Sequence, residues 1–106
     1  MITDDDAEAA LDFMRDNADK AAHARADRLY MEDYTRVLKS EIMKEHLDKA
    51  VNAQEREAYA DARYKDHLEA LRTAIFEDEK LGFLMKAAET KVSAWQTFSA
   101  NTRPKI

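Results

Sequence analysis

Residues 3–46 read TDDDAEAALDFMRDNADKAAHARADRLYMEDYTRVLKSEIMKEH, with no glycine and no proline, and the reading of this stretch decides the fold. Thr3 followed by Asp4, Asp5 and Asp6 is a helix start: the hydroxyl accepts a first-turn N–H, and the carboxylates face the positive end of the helix dipole. Apolar residues then recur at three- and four-residue steps through Ala7, Leu11, Met14, Ala18, Ala22, Ala26 and Tyr30, continuing with Tyr34, Leu38 and Ile42. That is the spacing of one helical face. A helix of about 43 residues runs on the order of 60 Å at about 1.5 Å per residue, too long to stand without a packing partner. Between Asn17 and Arg28 the face offers only alanine. We expect the helix to stay continuous there, packed closely on its neighbour, rather than to break at Asp16 and Asn17.

The rest of the chain supplies the partner. Leu47 to Asn52 reads as the end of the first helix, and Asn52 with Glu55 three residues on resembles a reciprocal cap for a short helix over 53–60. Asp61 is placed to cap the next. From residue 62 to about 100 a second periodic segment carries Tyr64, Leu68, Leu71, Ile75, Leu81, Leu84, Ala88, Val92, Trp95 and Phe98 near one stripe. The step from Ile75 to Leu81 breaks the heptad, so Glu77, Asp78, Glu79 and Lys80 are expected in solvent. Gly82, the only glycine, marks a bend or a close approach, and Pro104 marks the stop. The expected fold is therefore all-α: two long antiparallel helices (about 4–46 and 62–100) joined by a short helical elbow (53–60), as one helical-hairpin domain over 1–106. A hairpin of this length buries too little apolar surface to be secure alone, and self-association into a helical bundle, as a two-fold dimer, is expected.

Composition narrows the function. Of 106 residues 45% are hydrophobic and 37% charged, with no cysteine, which excludes disulfides, thiol catalysis and thiolate metal sites. No run approaches the roughly 20 apolar residues of a membrane span, and the acidic opening is unlike a secretory leader. A protein of the cytoplasm with no membrane partner is expected. His23, His46 and His67 form neither a Glu-x-x-His nor a His-x-x-x-His pair, so no metal or other cofactor is expected. With no phosphate-binding glycine loop and no nucleophile elbow, neither is an enzyme.

The net charge of −5 hides a gradient: residues 1–20 carry seven acids against two bases, residues 86–106 four bases against one acid. An antiparallel hairpin sets these ends side by side, a sufficient structural reason for the gradient. The candidate contacts to a partner or to nucleic acid are Lys91, Trp95, Arg103 and Lys105 at the basic end, with Arg63 and Arg72 at the start of the second long helix. The candidate packing or oligomer contacts are Tyr30, Tyr34, Tyr64, Leu68, Leu71, Ile75, Leu84, Val92 and Phe98.

The segments AQEREAYADARYKDHLEALRTAIFEDEK (53–80) and MKAAETKVSAWQTFSANTR (85–103) resemble a group of small helical phage and prophage proteins from neighbourhoods of DNA recombination and replication genes. The residues that carry the likeness are Gln54, Glu55, Arg56, Tyr59 and Ala60, then Tyr64, His67, Leu68 and Leu71, and finally Ala88, Lys91, Trp95, Ala100, Asn101 and Arg103. The resemblance implies a phage accessory protein of a bacterial host cell that acts through contacts, beside a recombinase, an exonuclease or a single-strand-binding protein. Two other readings stand beside it: direct binding of single- or double-stranded DNA through the basic-aromatic end, and inhibition of a DNA-binding protein by the acidic helix from Asp4 to Asp19 as a duplex mimic.

Overall fold

The computed structural model describes residues 1–102, and among them the secondary structure is wholly helical: α1 (Asp4–Lys44), α2 (Val51–Ala60) and α3 (Ala62–Thr102). α1 starts as its sequence requires. The Asp6 N–H donates to the Thr3 hydroxyl at 3.1 Å, and the Thr3 N–H donates back to the Asp6 carboxylate at 3.0 Å, a reciprocal cap with aspartate in the role usually filled by glutamate. The helix runs unbroken through Asp16 and Asn17. It ends at Lys44, two residues before His46, because the chain tightens there: the N–H groups of Glu45 and His46 donate to the carbonyls of Ile42 and Met43, three residues back instead of four.

The elbow corrects the expected cap. α2 begins at Val51, not at 53, and its N-cap is Ala50, extended at φ −62° and ψ 155° with no side-chain cap. Asn52 lies inside the first turn, its side chain folded onto the N–H of Ala53. The turn is fixed instead by buried Gln54, whose amide donates to the Lys49 carbonyl at 2.8 Å. Asp61 does act as expected. Its backbone closes α2 by donating to the Ala58 carbonyl, and its carboxylate opens α3 by accepting the Arg63 N–H at 2.8 Å.

Burial along the two long helices follows a stricter rule than the expected stripes. In α1 the less exposed positions step by three and four through Ala7, Ala10, Met14, Asn17, Ala21, Ala24, Arg28, Met31, Thr35, Leu38 and Ile42, while Leu11, Ala18, Ala22, Ala26 and Tyr30 of the expected stripe are exposed. Repeated four-residue steps advance about 40° around a helix each time, so a run of them walks off the line that faces a neighbour. In α3 the same alternation runs through Tyr64, His67, Leu71, Ala74, Asp78, Leu81, Met85, Ala88, Val92, Trp95 and Ser99. The heptad is therefore not broken after Ile75. Asp78, expected in solvent, continues it.

Contacts divide the structure into two units, one of Met1–His23 with the described residues from Glu79 on, the other of Ala24–Asp78. In the first, Ala7, Ala10, Leu81 and Ala88 are buried; the Trp95 indole N–H donates to Asp4 at 2.7 Å while Lys91, earlier on α3, lies near Asp6, later on α1, so the pairing is antiparallel. In the second, Leu38, Ile42 and Ala58 form the core, with Tyr34, Met43 and Tyr64 packed against it. The pairs Arg28–Asp78, Thr35–His67 and Glu45–Arg63 run in opposite chain directions, so this unit too is antiparallel.

α3 continues through Gly82, and no close neighbour explains the glycine: a Cβ built there meets nothing within 4 Å. Glycine inside an exposed helix costs about 0.5–1 kcal/mol against alanine. Gly82→Ala is therefore expected to raise stability by about that amount, read as a higher urea midpoint at unchanged slope.

Candidate functional site

The structure ties several candidate contact residues into the fold. Arg63, at the start of α3, grips Glu45 with both terminal nitrogens at 2.8 and 2.9 Å, and reaches Asp61 at 3.0 Å. These hydrogen bonds from the guanidinium hold both carboxylates below their ordinary values of 4.5 for Glu45 and 3.8 for Asp61, and the Arg63 N–H adds to the effect on Asp61. Arg63 itself is raised, chiefly by Glu45. This fork joins the end of α1, the end of α2 and the start of α3.

The staple has a pH signature. A carboxylate whose folded pKa is depressed stabilises the fold above its unfolded pKa, and that contribution is lost as pH falls through the folded value. The staple should thus act fully above the ordinary values of 4.5 and 3.8 and fade below them. In urea unfolding, Arg63→Ala is expected to be less stable than the parent at pH 7, and the gap should close as the pH falls below the ordinary carboxylate values of 4.5 and 3.8. A constant gap would contradict the assignment.

The basic end is similarly occupied. Trp95 is half-buried and its only polar atom is directed to Asp4. Lys91 is exposed and lies near Asp6, whose carboxyl is held below the usual range first by its hydrogen bonds with Thr3 and in smaller part by the Lys91 charge. The acidic start of α1 thus lies beside the basic part of α3. Arg72 is exposed on α3. Arg103 and Lys105 lie outside the described residues, as does Pro104.

Of the packing candidates, Tyr64, Leu71 and Val92 sit in the heptad seam, and Tyr34 and Ile75 are half-buried beside it. Tyr30, Leu68, Leu84 and Phe98 are exposed. Tyr30 stacks on Tyr34 with ring centroids 6.1 Å apart.

Two polar layers of the seam escaped the sequence reading. His67 Nε2 lies 2.8 Å from the Thr35 hydroxyl and 2.9 Å from the Met31 carbonyl, and the Thr35 hydroxyl donates to that same carbonyl. A carbonyl only accepts, so His67 bonds it as the Nε2–H tautomer. The Tyr34 ring meets the imidazole edge-on. The second layer is Arg28 Nε at 2.9 Å from Asp78, with side chains 22% and 16% exposed. The signal for both was present: three- and four-residue steps back from Ile42 land on Thr35 and Arg28.

Two surfaces are open to solvent, a groove and an exposed helix face. In the first unit a groove of about 310 Å³ is lined by Ala9, Ala10, Phe13, Leu84, Ala87 and Ala88, with Asp6 and Lys91 at one end. In the second unit one face of α1 exposes Asp33, Arg36, Val37, Ser40, Glu41 and Lys44. Tyr30 precedes these residues on α1 and Leu47 follows the end of the helix, 69% and 72% exposed. Among the described residues no cluster of three or more His, Asp or Glu side chains is arranged to hold a metal, and no helix is long and apolar enough to cross a membrane. No family model matches this sequence, and no curated protein or solved structure matches it.

Proposed function

We propose that the chain is a non-catalytic helical adaptor that associates with itself and binds a protein of phage DNA recombination or replication in the cytoplasm of the bacterial host. One observation carries the reading: the surface left in solvent. Among the described residues Tyr30, Val37, Leu47, Phe76 and Phe83 are all 48% exposed or more, while four of the seven buried apolar residues are alanine. Large apolar side chains outside and small ones inside are the arrangement of a protein that completes its burial on a partner. The likeness of 53–80 and 85–103 to phage accessory proteins directs the choice of partner.

Direct DNA binding is the weaker reading. It would draw Trp95 from Asp4, and Arg63 from Glu45 and Asp61. The test is a titration of the labelled chain against a purified recombinase, exonuclease and single-strand-binding protein of one phage recombination module, with single- and double-stranded DNA at low salt alongside. Saturable binding to one of the proteins is expected. A DNA shift with no protein binding would overturn the adaptor reading.

A further inference from the structure

The exposed face of α1 between Asp33 and Lys44 has a charge order that selects its occupant. At about 100° per residue, Asp33, Val37, Ser40 and Lys44 fall within about 60° of arc and form the central line of the face. The line is negative at Asp33 and positive at Lys44, with Val37 and Ser40 between them, all of them exposed. This order is antisymmetric about its midpoint, between Leu38 and Lys39. An antiparallel copy of the same helix, related by a two-fold axis through that midpoint, sets Asp33 against Lys44 at each end and Val37 against Ser40 in the middle. The same axis sets Arg36 against Glu41, a further pair of opposite charges. A parallel copy would oppose like charges. The two ion pairs would stand about 16 Å apart, eleven residues at about 1.5 Å each.

We propose that two copies of this chain dock antiparallel through this face of α1, which rests on the reading that the chain self-associates. α2 and its contacts take a different flank of α1, through Leu38, Ile42 and Lys39. Asp33 is held only by Arg36, at 3.4 Å with both side chains about four-fifths exposed, so it re-pairs readily. The face is short, below the size of a standard interface, and gives a weak dimer with a dissociation constant on the order of micromolar to tens of micromolar.

A charge swap tests this without touching the core. Asp33→Lys makes the central line basic at both ends, and Lys44→Asp makes it acidic at both ends. Each variant alone is expected to self-associate about tenfold or more weakly than the parent, because two opposite-charge pairs become two like-charge pairs. An equimolar mixture of the two should form heterodimers as tight as the parent dimer, detected by native mass spectrometry from their distinct masses. The double variant should also dimerise like the parent, and circular dichroism checks that all are folded. Single variants that self-associate as tightly as the parent, or a mixture with no excess of heterodimer, would overturn the proposal. If the parent dimerises and the swaps leave it undisturbed, this face is wrong and self-association stands. If the parent is monomeric from about 1 to 500 μM, far above such a dissociation constant, both fail.

Discussion

Ile42→Ala is expected to cost about 3 kcal/mol of unfolding free energy, the largest effect of any single substitution considered. Ile42 is 0% exposed and is the one large side chain fully buried among the described residues, packed with Leu38 and Ala58 where α2 folds onto α1. Truncating a buried isoleucine to alanine costs about 2–5 kcal/mol, the transfer of its lost carbons plus the cavity left behind. The neighbours are few, and Tyr34, Met43 and Tyr64 are only partly buried, so some collapse is available and the cost falls in the middle of that range. Val37, five residues earlier and 48% exposed, is the control: Val37→Ala should stay within about 0.5 kcal/mol. Urea midpoints that fall equally for both would contradict the placement of the core.

The second large effect lies in the charged layer of the seam. Asp78→Ala removes the partner 2.9 Å from Arg28 and leaves a guanidinium whose side chain is only 22% exposed. Breaking a buried pair from one side costs about 3–5 kcal/mol. Arg28 also has Glu32, four residues on, at 3.8 Å, and some solvent, so about 2 kcal/mol is expected. Arg28→Leu with Asp78→Leu together should be neutral or stabilising, since two desolvated charges give way to apolar packing. The double-mutant cycle then shows a coupling of about 1–2 kcal/mol. Additive single effects would mean that the two side chains act independently. The interest of the pair lies in specificity: at matched seam positions, an ion pair between the two helices resists a slip by a turn.

Much of the fold was legible because its signals are local. Thr3 with Asp6 and Asp61 with Arg63 are caps formed within a few residues, and the absence of glycine and proline before Gly82 leaves α1 nothing to break it. What failed was non-local. The face a helix buries depends on the period imposed by its neighbour, so a stripe built on four-residue steps kept Leu38 and Ile42 and lost Ala10, Ala21 and Ala24 to positions further round. Alanine gives almost no contrast between a buried and an exposed face, which hid the drift. Asp78 read as solvated because its partner lies fifty residues away. Asn52 read as a cap because its residue type suits one, yet Gln54, buried and bonded to Lys49, sets the start of α2.

The contact sites were legible only as residue types. Arg63 and Trp95 have the chemistry of a nucleic-acid contact, and the fold uses both for its own closure. Tyr30 was singled out as a packing or oligomer contact and is 69% exposed on α1. The charge order of Asp33, Arg36, Glu41 and Lys44 is plain in the sequence, but it gains meaning only once those residues are seen to share a face clear of α2 and α3.

An alanine-rich seam with polar layers at Thr35–His67 and Arg28–Asp78 buries little apolar area, while tyrosine, valine, leucine and phenylalanine side chains remain outside. That contrast is the physical basis for the proposed adaptor and its proposed self-association. Sedimentation equilibrium of the unaltered chain at neutral pH is the most direct test. The fitted mass should rise from 12.2 kDa toward twice that value as the concentration increases through the micromolar range. A mass that stays at 12.2 kDa throughout would contradict the account.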